Sequence, residues 1–123
     1  MQRTASDKDR RESIRVRRSI SVQFKRGLRI ANQRWINTTI RDISETGICI
    51  NTRSVLPPSS FIRLQVKIPT ERKWLRITGR AVTSVKQNNN YWARVRFLQL
   101  DESEKKYIRT YIAWVLVKEG GTP

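Results

Sequence analysis

The chain has 123 residues, enough for one domain whose core needs no disulfides. Its 26 lysines and arginines outnumber its 10 acidic residues, which gives a formal net charge of +16, and it contains one cysteine and no histidine. This composition excludes an intrachain disulfide, a zinc site built from cysteine and histidine, and catalysis by imidazole. The charge favours an anionic partner: nucleic acid, a nucleotide, a membrane surface or an acidic protein.

The N-terminal segment is polar and highly charged and offers almost nothing to bury. It therefore predicts a flexible basic arm over residues 1–15. The arm lacks the apolar stretch of a signal peptide, and no apolar run in the chain approaches the ~18 residues of a membrane span. We expect a cytoplasmic protein, and a single thiol fits a reducing compartment.

Residues 16–120 carry the pattern of short strands followed by one helix. Apolar and polar residues alternate with a period of two in six segments, which indicates strands with one buried face. These segments are residues 20–24, 36–40, 48–51, 62–68, 75–85 and 91–97. Antiparallel strands joined by tight turns favour a small closed barrel, since closure removes exposed edges. The predicted fold class is all-β with a C-terminal helix.

The C-terminal segment changes to helical spacing. Asp101 and Glu104 resemble a capping box, and Gly120 ends the helix. The apolar positions of the helix are Tyr107 or Ile108, Tyr111, Ile112 and Val115. They recur every three or four residues, which predicts one face packed on the barrel.

Two apolar features have a structural interpretation. Cys49 lies in an apolar run and is interpreted as a small buried hydrophobic residue. The tryptophans are interpreted mostly as core or helix–barrel contacts, and they are Trp35, Trp74, Trp92 and Trp114. Trp92 shares a strand face with Arg94 and Arg96, so that stacking on a ligand stays open for it.

An Asp-x-Ser-x-x-Gly turn lies between the second and third predicted strands, from Asp42 to Gly47. Gly47 suits a turn position with positive φ. Asp42 and Ser44 have two explanations. They cap local backbone amides, as such residues often do in turns, or they bond the edge of a bound base.

Two arginines, Arg11 and Arg15, lie in the arm just before the first strand. Guanidinium groups bind phosphate and the O6/N7 edge of guanine through two N–H donors. In so basic a chain, ordinary solvation explains this spacing equally well. Together with the turn, however, the pair fits an anionic guanine nucleotide.

In this order and between these strands, the two motifs resemble the signature of the PilZ domain family of cyclic di-GMP receptors. The resemblance covers about residues 10–118, including the segments 79–82 and 95–100. It implies a six-stranded antiparallel PilZ-type β-barrel and a non-catalytic receptor for a bacterial second messenger. One departure is that many members carry glycine three residues before Phe97, where this chain has Arg94.

The resemblance also implies a set of ligand-binding residues. These are Arg10, Arg11, Arg15, Asp42, Ser44 and Gly47. The arginines at 11 and 15 would hold phosphates and guanine edges. Asp42 would accept hydrogen bonds from guanine N1 and N2, Ser44 would bond the ligand, and Gly47 would keep the turn open. A basic residue at 10 is associated in this family with a stacked pair of ligands, since two further phosphates need another cation.

The implied mechanism is ordering of the arm around cyclic di-GMP or formation of a ligand-dependent homodimer. Either event would create a surface for a protein effector. No metal and no cofactor are implied. The pathway stays open among motility, pili, exopolysaccharide synthesis and transcription, and so does binding of one or two ligands per chain.

Two other functions stay open. A small basic barrel that binds nucleic acid explains the charge of +16 but not the turn. A PilZ-like adaptor that no longer binds nucleotide would act through protein contacts alone. An enzyme is not expected, because the sequence has no nucleophile–base pair, glycine-rich phosphate loop or metal cluster.

Overall fold

Alternating apolar residues build an antiparallel sheet of seven strands, followed by one helix. The computed structural model describes Arg15 and residues 20–27 and 34–118. The predicted arm therefore lies outside the described residues, apart from Arg15. The elements are β1 (Val22–Arg26), β2 (Ile36–Thr38), β3 (Ile40–Ile43), β4 (Gly47–Thr52), β5 (Phe61–Ile68), β6 (Lys73–Gln87), β7 (Asn90–Leu98) and α1 (Glu102–Lys118).

The strand order is β2-β1-β5-β6-β7-β4-β3, and the sheet curves into a half-barrel. The prediction of mostly β structure with a C-terminal helix is confirmed. The predicted six-stranded barrel is not exactly confirmed, because the second predicted strand is divided at Thr39 into β2 and β3. Thr38 pairs with Val22 of β1, whereas the Thr39 carbonyl accepts from Asn51 N–H of β4 at 3.0 Å. The segment thus changes partner strand at this point.

One hydrophobic core fills the concave side of the sheet. Alternate side chains of the strands point into it, including Ile48 and Ile50 of β4 and Ala93 and Val95 of β7. The helix closes the core with the face predicted from its spacing, and its buried residues are Ile108, Tyr111, Ile112 and Val115. We call the opposite, convex side of the sheet its outer face.

None of the tryptophans is among the buried core residues, so the interpretation of them as core residues was wrong, whereas Trp114 lies beside Pro69 and Glu71 as a helix–barrel contact would. Trp74 and Trp114 are exposed, and Trp35 and Trp92 are half-buried. Lysine ammonium groups lie over three of the indole rings at 4.6 to 5.9 Å, at Trp35, Trp74 and Trp114. Such cation–π contacts let an aromatic ring remain at the surface of a basic protein.

The predicted capping box starts α1. Glu104 N–H donates to Asp101 Oδ1 at 2.7 Å, and Asp101 N–H donates to Glu104 Oε1 at 3.0 Å. The hydrogen bond from the Glu104 amide is the main reason that the pKa of Asp101 lies below its usual value. The cap therefore makes helix stability depend on pH.

We expect Asp101→Ala to lower the Tm at neutral pH, and this deficit to shrink below about pH 4. A carboxyl group with a depressed folded pKa stabilises the protein above its unfolded pKa. That contribution is lost as the pH falls through the folded pKa. Thermal unfolding followed by circular dichroism tests this. Asp101→Asn keeps an acceptor and should retain most of the Tm at neutral pH, and a deficit of Asp101→Ala that does not change with pH would contradict the expectation.

Candidate functional site: the turn between β3 and β4

The turn between β3 and β4 is shaped by Ser44. Its amide donates to the Gly47 carbonyl at 2.9 Å. Its buried Oγ accepts from the amides of Thr46 and Gly47, each at 3.2 Å. The capping explanation therefore applies to Ser44, because this hydroxyl bonds the backbone of its own turn.

Gly47 is required at the turn for a reason other than the predicted one. Its φ is not positive, so that prediction was wrong. Gly47 begins β4 and pairs with Arg96 of β7. A Cβ placed on Gly47 would lie 2.5 Å from the carbonyl oxygen of Val95. The glycine thus permits two backbones to approach closely.

Asp42 does not cap the turn but forms an ion pair with Arg94. Arg94 Nη1 lies 2.6 Å from Asp42 Oδ1, and Nη2 lies 3.3 Å from Oδ2. This is the two-donor geometry in which a guanidinium holds a carboxylate. The side chains retain only 10% exposure for Asp42 and 27% for Arg94, so water screens the pair incompletely.

Cys49 lies between the two partners of this ion pair. It pairs with Asp42 on one side and with Arg94 on the other, so that the three residues form a row across the outer faces of β3, β4 and β7. A side chain from β7 must cross about 10 Å to reach β3. The small buried thiol leaves room for the long arginine to cross β4.

Nearby charges also act on the Cys49 thiol. Burial is the main cause that raises the pKa of the Cys49 thiol, and Asp42 raises it further. Arg94, Arg41 and Arg15 act in the opposite direction. Arg15 is exposed, and its charge has the smallest of these effects on the Cys49 thiol.

The ion pair raises the pKa of Arg94. Burial lowers the pKa of Arg94, but the hydrogen bond and the negative charge of Asp42 raise it, and the net shift is upward. Arg94 therefore stays a cation, and it supplies the positive charge that Asp42 contacts in this structure.

The turn is connected to β7 and to the helix. Phe97 N–H donates to the Thr46 carbonyl at 2.8 Å. Glu45 Oε1 lies 3.2 Å from Arg109 Nε of α1, and Arg109 also pairs with Glu102 at 3.6 Å. The turn is therefore joined to β7 by a backbone hydrogen bond and to α1 by a partly exposed ion pair.

Comparison with known proteins identifies the family. The PilZ domain model matches residues 9–114, which is most of the chain. The chain belongs to the PilZ domain family. No curated protein sequence matches it. The matching family model indicates no enzyme family.

Solved PilZ structures share this fold at low sequence identity. The Bacillus subtilis inhibitor of motility MotI/DgrA superposes with a TM-score of 0.74 at 15% identity, over 89% of this chain and 52% of that one. The Klebsiella ("K. pneumonia") MrkH–cyclic di-GMP complex gives 0.67 at 16%, over 98% and 54%. The PilZ domain of Escherichia coli YcgR with cyclic di-GMP gives 0.62 at 14%, over 90% and 94%. This PilZ chain spans about half the length of MotI and MrkH.

The predicted PilZ site residues are distributed unevenly in the structure. Asp42 lies near the end of β3, Ser44 in the turn that follows and Gly47 at the start of β4, and Arg15 is exposed. Arg10 and Arg11 lie outside the described residues. Sequence analysis missed Arg94 as the partner of Asp42, although its replacement of a common PilZ glycine was a signal.

Two further properties concern the described part of the PilZ chain. Its cysteine and acidic residues form no group of three or more that could hold a metal ion. Among the helices in that part, none has the length and hydropathy needed to cross a membrane.

Proposed function

We propose that this PilZ protein is a non-catalytic receptor for cyclic di-GMP that binds at the β3–β4 turn. The observation that carries the proposal is the carboxylate of Asp42. It is held at the outer face of the PilZ fold by Arg94, beside a turn that is closed by hydrogen bonds to Ser44 Oγ. The PilZ domain of YcgR and the protein MrkH have been solved with cyclic di-GMP.

The proposed contacts follow from the donors and acceptors of the ligand. Guanine presents two parallel donors, N1–H and the N2 amino group, which match the two oxygens of Asp42. Arg11 and Arg15 would bind the phosphates and the O6/N7 edges. Arg10 would serve a second ligand molecule. Ser44 and Gly47 keep the backbone of the turn in place.

Ligand binding would change the rest of the protein in two ways. Ligand-induced ordering of the arm over residues 1–15, or ligand-dependent dimerisation, would build a new surface for a protein effector. The ion pair between Glu45 and Arg109 offers a second connection, because it joins the site turn to α1. A ligand that moves the turn would change this pair and with it the contacts of Arg109, near the middle of α1.

Titration calorimetry with cyclic di-GMP tests the proposal. We expect the wild type to bind with a Kd in the micromolar range or tighter. Arg15→Ala and Asp42→Ala should each weaken binding at least tenfold, about 1.4 kcal/mol. Arg53→Ala, which removes an exposed arginine just after β4, serves as the charge-matched control and should bind like the wild type. A stoichiometry of two ligands per chain would support the role of Arg10.

The contradicting result is equally clear. If the folded wild type does not bind cyclic di-GMP, the receptor proposal is wrong. If it binds but Asp42→Ala and Arg15→Ala bind equally well, the ligand lies elsewhere on the protein. Circular dichroism of each variant separates lost binding from lost folding.

The outer face favours nucleic-acid binding as a second candidate function. Strands β5, β6 and β7 contain no acidic residue. Their basic residues on the outer face are Arg63, Lys67, Arg76, Arg80, Arg94 and Arg96, and Trp74 lies exposed among them. Gln65 Oε1 accepts from Arg76 Nε at 3.1 Å, which holds this arginine in position. Cations beside an exposed ring are the features that bind single strands.

A single-stranded oligonucleotide titrated at low and high salt tests this candidate. Binding through many phosphates should weaken steeply as salt rises. A dinucleotide held by base-edge contacts should depend less on salt. Arg76→Ala should weaken the oligonucleotide and leave cyclic di-GMP unaffected, and no effect on the oligonucleotide would rule out this face.

A further inference from the structure

Arg94 binds the two carboxylate oxygens of Asp42 that a guanine base would need. Its two terminal nitrogens each contact one carboxylate oxygen. Arg94 reaches them from β7, across Cys49 of β4. Both oxygens of the proposed guanine acceptor are therefore already hydrogen-bonded to Arg94.

A guanidinium and the edge of guanine present the same pattern to a carboxylate. Each offers two roughly parallel N–H donors, and each fits both oxygens at once. Guanine cannot make its paired contact with Asp42 while Arg94 makes the same contact. We propose that Arg94 is an intramolecular competitor of the ligand, which imitates the guanine edge and sets the affinity of the site. This inference rests on the proposed function.

Burial gives the competition its strength. Exposed ion pairs contribute little to stability, because water and salt screen them. The carboxylate of Asp42 is only 10% exposed and its partner 27%, so this pair is screened less. Releasing Arg94 costs the free energy of a largely buried ion pair, and the ligand must supply it. A side chain without donors at this position would leave Asp42 ready for guanine.

The register of the strands explains why Arg94 reaches Asp42 and Arg96 does not. Arg96 also lies on the outer face of β7, but it pairs with Gly47 and with Arg80, so that it lies one row away from Asp42. Arg94 shares its row with Cys49 and Asp42.

The test compares cyclic di-GMP binding by the wild type, Arg94→Met and Arg94→Lys. Methionine removes the donors and keeps an unbranched side chain over Cys49, and we expect it to bind at least tenfold tighter. Lysine keeps the charge but offers no planar two-donor edge. It should fall between the wild type and Arg94→Met. Arg76→Met removes the same charge from β6, far from Asp42, and should change the Kd by less than about twofold.

The outcomes separate this inference from the proposed function. If the wild type binds and Arg94→Met binds equally or more weakly, the competition is wrong, and weaker binding would identify Arg94 as a ligand contact. If only Arg94→Met binds, the competition is confirmed, and Arg94 prevents the wild type from binding the ligand. If neither binds, the proposed function itself fails and the inference falls with it.

A measurement on the wild type guards against misfolding of the variants. The guanidinium NMR signals of Arg94 can be assigned by their absence in Arg94→Lys. In the free protein, the ion pair should slow rotation of the guanidinium and give resolved signals. Saturation with cyclic di-GMP should shift or broaden them, whereas unchanged signals at saturation would overturn the inference.

Discussion

Gly47→Ala is expected to lower the free energy of unfolding by about 2–3 kcal/mol. The new methyl group would lie 2.5 Å from the Val95 carbonyl oxygen, and this contact is with backbone rather than with a flexible side chain. Relief requires β4 to move away from β7, which would weaken the pairing between Gly47–Thr52 and Tyr91–Arg96. Because Asp42 and Ser44 precede this point, cyclic di-GMP binding should weaken as well.

Gly27→Ala is the matched control for this substitution. Gly27 has a φ of 76° and nothing within 4 Å of an added Cβ, so the only cost is backbone strain of about 1 kcal/mol. Urea unfolding of both variants measures the difference. Equal losses would mean that β4 and β7 can separate at Gly47 without cost, and the close approach would not explain the glycine.

Tyr111→Ala is expected to have the largest effect on stability, about 3–5 kcal/mol. Tyr111 is 1% exposed and is the largest fully buried side chain in the described residues. It lies on the face of α1 that packs on the half-barrel, together with Ile108 and Ile112. Truncating it leaves a cavity between the helix and the sheet, which the surrounding strands cannot fill.

Trp114→Ala provides the comparison on the same helix. Its ring stacks on Tyr111 at a centroid distance of 6.2 Å, yet it is 42% exposed, so its removal should cost about 1 kcal/mol. Denaturant unfolding of the two variants distinguishes them. If Trp114→Ala is the more damaging change, the core contacts of α1 have been assigned to the wrong aromatic residue.

The strands and the helix could be predicted from the sequence, because their signals are local. Alternation from Ile62 to Ile68 and helical spacing from Ile108 to Val115 each depend on residues a few positions apart. The capping box of Asp101 and Glu104 is local in the same sense. The order of the arginine and Asp-x-Ser-x-x-Gly motifs was enough to predict the PilZ family.

Local patterns were less informative where the role of a residue depends on its contacts with another strand. Thr39 continues an alternating pattern, and only the positions of β1 and β4 show that the chain changes partner there. Gly47 looked like a turn glycine, whereas the carbonyl of Val95 is what excludes a side chain. The tryptophans looked like core residues, but their strand and helix positions place them outside the core.

The sequence by itself determined the fold class, the family and the residues of the candidate turn. The tertiary structure alone decided what Asp42 contacts. Asp42 and Arg94 are 52 positions apart, and no pattern along the chain links them. They meet because the strand order puts β4 between β3 and β7, and because the register aligns both with Cys49. An ion pair in a sheet depends on strand order and register, which the pairing of all the strands sets together.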